Sequence, residues 1–188
     1  MLFKNVTGSK DVFFIEPYLG HTTHSKRFFK MVDMVDPSNS LASFQVALNN
    51  NLITLTPCLL HPEMKVLQDN AEGTPRLTYA LLDGEKVKGI AIYVPVEPIE
   101  GTLCFGLGYA VAEQYRKQGV ASEIVQKSLE EIHACFKRHI PKFYVEAIVG
   151  IDNYASNKVA SKFLSQEPKA CDDSCSGKPA QQYVRFLE

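Results

Sequence analysis

The stretch that decides the fold of this chain is Arg116-Lys117-Gln118-Gly119-Val120-Ala121. It follows a β-prone run and opens a helical pattern that we predict from about Gly119 to Lys137. The first N–H groups of a helix have no partner within the helix, and the helix dipole adds partial positive charge there. Gly119 lets an anion approach the backbone, and the small Ala121 keeps the next turn clear. The stretch is a candidate pyrophosphate site, although a plain strand-to-helix turn has the same appearance.

The residues around this stretch predict alternating strands and helices. Residues 103–111 form a strand candidate before it. Along the following helix, apolar residues recur at helical spacing and predict one buried stripe: Ala121, Ile124, Val125, Leu129, Ile132 and Phe136. Residues 143–149 are typical of a strand, Asn153 of the N-cap of a second helix, and residues 183–187 of a last strand.

The first half of the sequence carries weaker patterns and no recognisable chemistry. Residues 77–82 and 87–94 are β-prone runs around Asp83-Gly84, a dipeptide typical of hairpin turns, so we expect adjacent antiparallel strands. Before them we predict a strand at residues 11–15 and a helix at residues 22–35. A second helix should begin near Ser38–Ser40 and end at the asparagines that follow residue 48.

Two signatures resemble those of the GNAT acetyltransferases. The run from Gly108 to Glu123 resembles the acetyl-CoA signature, which is Arg or Gln, two residues, Gly, one residue, then Gly or Ala. It is most similar to the branch that acetylates the N-termini of ribosomal proteins. A second resemblance, to a strand followed by an Asn-capped helix, rests on these residues: Val145-Glu146-Ala147, Asp152-Asn153, Ala155-Ser156 and Val159-Ala160. Together they cover residues 77–164.

The resemblance implies an α/β (α+β) fold of the GNAT type. Its central sheet is mixed, mostly antiparallel and twisted, with flanking helices and splayed central strands that hold acyl-CoA. We expect one domain over residues 1–188. Residues 1–75 form an N-terminal strand and helices on the acceptor side, residues 77–164 the acyl-CoA-binding core, and residues 165–188 the C-terminal strands.

The resemblance also implies a set of cofactor-binding residues. Backbone groups at the end of the first central strand would hold the pantetheine arm by β-augmentation. Backbone amides of the next helix would hold the pyrophosphate, with basic side chains adding charge or staying in solvent. The implied set is Ala110, Val111, Arg116, Lys117, Gln118, Gly119, Val120, Ala121, Ser122, Asn153 and Ser156.

Acetyl transfer to an amine needs a neutral amine, a stabilised oxyanion and a proton for the departing thiolate. Glu146 is the candidate base, because it matches the family position and a buried setting would raise its pKa. The alternative is that Glu146 has no catalytic role and is a carboxylate that faces solvent or forms a structural ion pair. Gly106 and Ala160 stand where relatives often carry an acid and a Tyr, and Leu164-Ser165 replaces the usual Gly-Phe pair. The thiolate then leaves without a donor, or Tyr154 or Ser156 donates the proton, and we take Tyr154 as the candidate.

These residues predict an N-acetyltransferase that uses acetyl-CoA on a primary amine, either a protein N-terminus or a small molecule. A non-catalytic acyl-CoA-binding module is the alternative, since the acid and the Tyr are missing. A redox or zinc protein built on Cys171 and Cys175 is a third reading, but a second pair of ligands is lacking. We predict no metal site.

The composition argues against two classes of partner, nucleic acids and membranes. Lys and Arg total 20 against 21 Asp and Glu, so no bulk positive field favours nucleic acid. We expect no membrane contact, because no signal peptide or long apolar run is visible. The five cysteines are odd in number, which suits reduced thiols and a cytoplasmic location. The helices of the first half are compatible with a monomer or a homodimer.

Overall fold

One eight-stranded sheet runs through the residues that the computed structural model describes, which are 37–71 and 73–188. Short connections and alternating polarity give the following elements in chain order: α1 Pro37–Asn49, β1 Thr56–Pro57, β2 Met64–Ala71, β3 Thr74–Asp83, β4 Lys86–Ile99, β5 Thr102–Val111, a 3-10 turn Glu113–Tyr115, α2 Val120–Phe136, β6 Phe143–Gly150, α3 Tyr154–Phe163, β7 Lys169–Asp172 and β8 Pro179–Leu187.

The strands lie in the order β1-β2-β3-β4-β5-β6-β8-β7. Every neighbouring pair is antiparallel except β5 and β6, which are parallel. Helix α2 makes the crossover that a parallel pair requires. The expected mixed, mostly antiparallel sheet with flanking helices is therefore confirmed. None of the helices in the described ranges is long and apolar enough to cross a membrane.

The sheet has two faces, which we name the α2 face and the α1 face after the helices that cover them. On the α2 face, the apolar stripe of α2 packs on the sheet with Tyr93, Phe105 and Phe143, and α3 closes the same core. Each such large side chain contributes about 1.5–3 kcal/mol when fully buried. On the α1 face, Phe44 packs against a smaller cluster that includes Ile90 and Ala110.

The local predictions held best where a turn or an amphipathic stripe defines the element. Strands β3 and β4 pair from Asp83 with Lys86 onward, and Gly84 takes the positive φ of 58° that its turn requires. Helix α2 lies within one residue of its predicted bounds. The asparagine cap of α3 is confirmed by the 3.1 Å hydrogen bond from the Ser156 N–H to Asn153 Oδ1.

Strands β1, β2 and β7 were missed, and β8 is longer than predicted. Strand β2 lies inside the region that we assigned to a strand and helices. Its sequence, MKVLQDNA, has few β-branched residues, and its pairing with β3 makes it a strand. Strand β7 is four residues long and, among the strands of the described ranges, pairs only with β8. The predicted strand at 11–15 and helix at 22–35 lie outside the described residues.

A buried carboxylate ties α2 to the loop before β2. Glu131 is 1% exposed. Its Oε2 accepts the N–H of Leu59 at 3.0 Å, and its Oε1 accepts those of Leu60 at 2.5 Å and His61 at 2.6 Å. The side chain of His61 contacts the neighbouring Glu130 at 2.7 Å. A buried charge is therefore held by three backbone donors.

Candidate functional site

The two central strands separate partway along their length. The parallel pair β5–β6 contains three residue pairs and ends where Gly106 faces Glu146. Both strands continue beyond this point, as residues 107–111 of β5 and 147–150 of β6. Each remains paired on its outer side, β5 with β4 and β6 with β8. We call the gap between residues 107–111 and 147–150 the fork, and its presence confirms the predicted splay of the central strands.

Backbone groups of β5 face the fork at alternate residues. The Ala112 N–H donates to the Lys88 carbonyl of β4 at 3.0 Å. Because hydrogen-bonded residues alternate along an antiparallel pair, Ala110 also directs its backbone groups toward β4. Residues 107, 109 and 111 therefore direct their N–H and C=O groups into the fork. Of the two strand-end residues named from the sequence, Val111 presents its backbone to the fork and Ala110 is paired with Ile90.

The loop between β5 and α2 is built on positive backbone angles. Lys117 has a φ of 60° and Gly119, the N-cap of α2, a φ of 83°. The first intrahelical bond runs from the Glu123 N–H to the Gly119 carbonyl at 3.0 Å. The N–H groups of Val120, Ala121 and Ser122 thus lie at the helix start, next to the exposed Gly119, where the dipole is positive.

The structure gives a backbone reason for glycine at position 119. A Cβ on Gly119 would meet no atom of residues 37–71 or 73–188 within 4 Å. Glycine is therefore required by the left-handed backbone and not by crowding from the chain itself. A true steric need lies at Gly89, where a Cβ would come within 3.0 Å of the Ala110 carbonyl oxygen and 3.2 Å of Val120 Cγ1. Gly89 lets β4 pass close beneath the start of α2.

The polar side chains of this loop are exposed and partly engaged. Arg116 Nε donates to the Val111 carbonyl at 3.3 Å, so its guanidinium lies beside the open end of the fork. Gln118 Nε2 donates to the Gln114 carbonyl at 2.9 Å. Lys117 is exposed. The loop thus brings two cations and a helix start to one end of the fork, which is the donor set that an anionic phosphate requires.

The start of α3 lies beyond the other strand of the fork. Asn153 caps the helix, and Asn157 Nδ2 donates to the Gly150 carbonyl at 2.9 Å, which fixes the helix to the end of β6. Ser156 is half-buried in the first turn. Asn153 and Ser156 are thereby placed on the α2 face, the side on which the loop of residues 116–119 leads into α2.

Glu146 lies at the apex of the fork with its side chain on the α1 face, because its neighbours Val145 and Ala147 are in the core of the α2 face. Gln182 Nε2 donates to Glu146 Oε2 at 2.6 Å. The Glu146 side chain is half-buried and meets an amide from β8, and its role as the base stays a prediction. Gln182 was missed because only strand register places it there.

Tyr154 is the first residue of α3 and is 79% exposed. Within the described residues, its hydroxyl makes no hydrogen bond. The sequence pattern correctly placed it on the helix start, and its role as a proton donor stays a prediction.

The cysteine pair does not form a metal centre with its described neighbours. Cys171 lies in β7 and Cys175 in the turn after it. Asp173 organises that turn by accepting the Cys175 N–H at 3.1 Å and the Ser176 hydroxyl at 2.6 Å. Over residues 37–71 and 73–188, no three His, Cys, Asp or Glu side chains form a group that could hold a metal ion.

A forked sheet with a glycine-started helix at its open end and a carboxylate at its apex is the site that the resemblance predicts for an acyl-CoA-dependent transferase. Residues 46–164 match the acetyltransferase (GNAT) family, and the chain belongs to this family. Acetyltransferases of the GNAT family use acetyl-CoA.

Several solved structures are similar to this chain. One is the RimL ribosomal L7/L12 alpha-N-protein acetyltransferase in complex with coenzyme A, at 20% identity over 60% of this chain and 62% of that chain, with a TM-score of 0.43. Another, from Salmonella typhimurium, modifies the N-terminal serine of ribosomal protein L7/L12, at 21% identity over 60% and 64%, with a TM-score of 0.41. A GNAT acetyltransferase from Streptococcus pneumoniae shares 13% identity over 82% and 96%, with a TM-score of 0.47.

This chain spans less than two thirds of the length of the two ribosomal-protein acetyltransferases. No curated protein sequence matches it.

Proposed function

We propose that this chain is an N-acetyltransferase that moves an acetyl group from acetyl-CoA to a primary amine by direct attack in a ternary complex. The observation that supports this most strongly is the fork, which ends at the Gly106 and Glu146 pair. One end of the fork has a helix start and two basic residues, and its apex carries a carboxylate on the opposite face. Cofactor and amine can therefore approach from opposite faces of the sheet.

The residues around the fork suit two parts of acetyl-CoA, the pantetheine arm and the pyrophosphate. Residues 109 and 111 offer backbone groups to the pantetheine amides, as an edge strand offers them to an added strand. The N–H groups of residues 120–122 and the helix dipole suit the pyrophosphate, with Arg116 and Lys117 adding positive charge. When bound, acetyl-CoA supplies the acetyl group as a thioester.

Glu146 is proposed to accept the proton of the incoming amine. Gln182 holds its Oε2, which leaves Oε1 to meet the amine nitrogen. Tyr154 is proposed to supply the proton to the departing thiolate, because it is an exposed phenol at the start of α3. The acceptor is a protein N-terminus or a small-molecule amine that enters from the α1 face.

The first test is calorimetric titration of the chain with acetyl-CoA. Gly119→Glu places bulk and negative charge at the helix start, and we expect it to abolish micromolar binding in a folded protein. Glu130→Gln is the control, because it changes an exposed carboxylate on the other end of the same helix. Binding that survives in Gly119→Glu would remove the phosphate site from the helix start.

The second test is release of free thiol with a panel of amines that contains N-terminal peptides, a polyamine and an aminoglycoside. For an accepted amine, we expect Glu146→Gln to lower turnover about 10²- to 10⁴-fold, the usual effect of losing a general base. Unchanged turnover would assign the proton to another group. Binding of acetyl-CoA without transfer to any amine would favour a non-catalytic acyl-CoA-binding module instead.

A further inference from the structure

One tyrosine spans the fork. Tyr109 lies on β5 beyond the last pair with β6, and its half-buried ring packs against the core of the α2 face. Its hydroxyl donates to the Ser156 carbonyl at 2.7 Å. Ser156 belongs to the first turn of α3, the helix that follows β6. The side chain therefore reaches from one strand of the fork to the element that continues the other.

The surroundings of Tyr109 favour a persistent contact. Burial raises the pKa of the Tyr109 phenol to about 12, so the hydroxyl keeps its proton at neutral pH and can donate. The Ser156 residue that accepts this bond is itself fixed, because its N–H donates to the Asn153 side chain. The contact joins a rigid strand to the capped first turn of a helix.

A second tyrosine holds the same helix from the other side. The Tyr183 hydroxyl of β8 lies 2.9 Å from Asn157 Oδ1 and 2.6 Å from Gln181 Oε1, and both oxygens can accept its proton. Strand β8 is paired with β6 along eight residues, so this contact lies on the closed side of the sheet. Both tyrosines bind the first turns of α3, and the contact from Tyr109 is the one that crosses the gap.

We propose that Tyr109 is a strut that fixes the width of the fork and thereby positions the backbone of residues 109 and 111 for the pantetheine arm. Tyr109 is a positioning residue and takes no part in proton transfer. This inference rests on the proposed use of the fork for acetyl-CoA. Its consequence is that the strut acts mainly on the affinity for the cofactor.

The test compares Tyr109→Phe with Tyr183→Phe, which removes a similar hydrogen bond to the same helix outside the fork. Dissociation constants for coenzyme A and acetyl-CoA are measured by calorimetry, and circular dichroism verifies that each variant is folded. We expect Tyr109→Phe to weaken coenzyme A binding about three- to tenfold, the scale of one hydrogen bond. Tyr183→Phe should stay within about twofold of the parent protein.

Kinetics with an accepted amine add a second readout. The KM for acetyl-CoA should rise with its dissociation constant in Tyr109→Phe, and by a larger factor than kcat falls. Equal loss of affinity in both variants would overturn the strut. The effect would then come from loosening α3 in general and not from the contact that crosses the fork. A fall in kcat at unchanged affinity would make Tyr109 part of the chemistry and overturn it too. Failure of the parent protein to bind coenzyme A would refute the proposed function itself, whereas binding unaffected by Tyr109→Phe refutes the strut alone.

Discussion

Replacing Glu131 by Gln tests how much a buried carboxylate stabilises this fold. The Glu131 oxygens accept three backbone N–H groups, two at Oε1 and one, from Leu59, at Oε2. The amide of a glutamine can keep the two bonds at Oε1 but turns an NH₂ group toward the Leu59 donor. One bond to the carboxylate is lost, two are weakened and a partly buried donor is left unsatisfied.

The expected loss follows from these contacts. Hydrogen bonds to a charged group contribute about 1.5–3 kcal/mol each, and an unsatisfied buried donor costs about 1–3 kcal/mol. Because the loop can partly rehydrate, we expect Glu131→Gln to lower the free energy of unfolding by about 2–4 kcal/mol. For a chain of this size, that loss lowers the Tm by about 4–16 °C.

Urea titration followed by circular dichroism measures the difference, with Glu130→Gln as the matched control. Glu130 is the adjacent carboxylate, is 45% exposed and contacts the His61 side chain at 2.7 Å. Its replacement should change stability by less than about 1 kcal/mol, as is usual for exposed pairs. Equal small losses in both variants would show that the three backbone contacts of Glu131 add nothing, and the reasoning would fail.

Three further outcomes follow from the structure. Gly119→Ala should lower the free energy of unfolding by about 1–2 kcal/mol in a thermal melt, because a side chain resists the left-handed backbone although space is open. Asn153→Ala should cost about 1 kcal/mol in the same assay through loss of the cap of α3, and Ser at this position should restore most of it. In the native protein at pH 8, iodoacetamide should label the exposed Cys175 first, since burial raises the pKa of Cys58 and Cys104 to about 12.

A different result would contradict each of these three predictions. An unchanged melt in Gly119→Ala would mean that the loop adopts another backbone without cost. A serine replacement as unstable as alanine would show that the Asn153 side chain acts in some way other than capping. Rapid alkylation of Cys104 in the folded protein, read by mass spectrometry, would contradict its burial.

The sequence was most informative where structure is local. The hairpin at Gly84 needs only a turn residue and two β-prone runs, and α2 needs only its stripe and its glycine start. The fork was expected solely through family resemblance, since nothing in the local pattern of β5 or β6 says where their pairing stops. Strand β2 could not be foreseen, because its polar residues become a strand only by pairing with β3.

The side-chain partners were harder still to foresee. Gln182 meets Glu146 through the register of β6 with β8, and Tyr109 meets Ser156 across a gap between strands. Glu131 lies at helical spacing from Ile124 and Ser128 on the buried side of α2, which is a signal that could have been used. Its backbone partners come from a loop far away in sequence, and no local pattern identifies them.

The short pairing of β5 with β6 divides the sheet into two antiparallel sections, β1–β5 and β6–β8, which three residue pairs hold together. Beyond these three pairs, β5 and β6 are edge strands although they lie in the middle of the sheet. Edge strands are open to solvent and to added chains, so amide hydrogens that point into the fork should exchange faster than those of the outer ladders. A molecule that fills the fork would pair with both inner edges, link the two sections and slow that exchange.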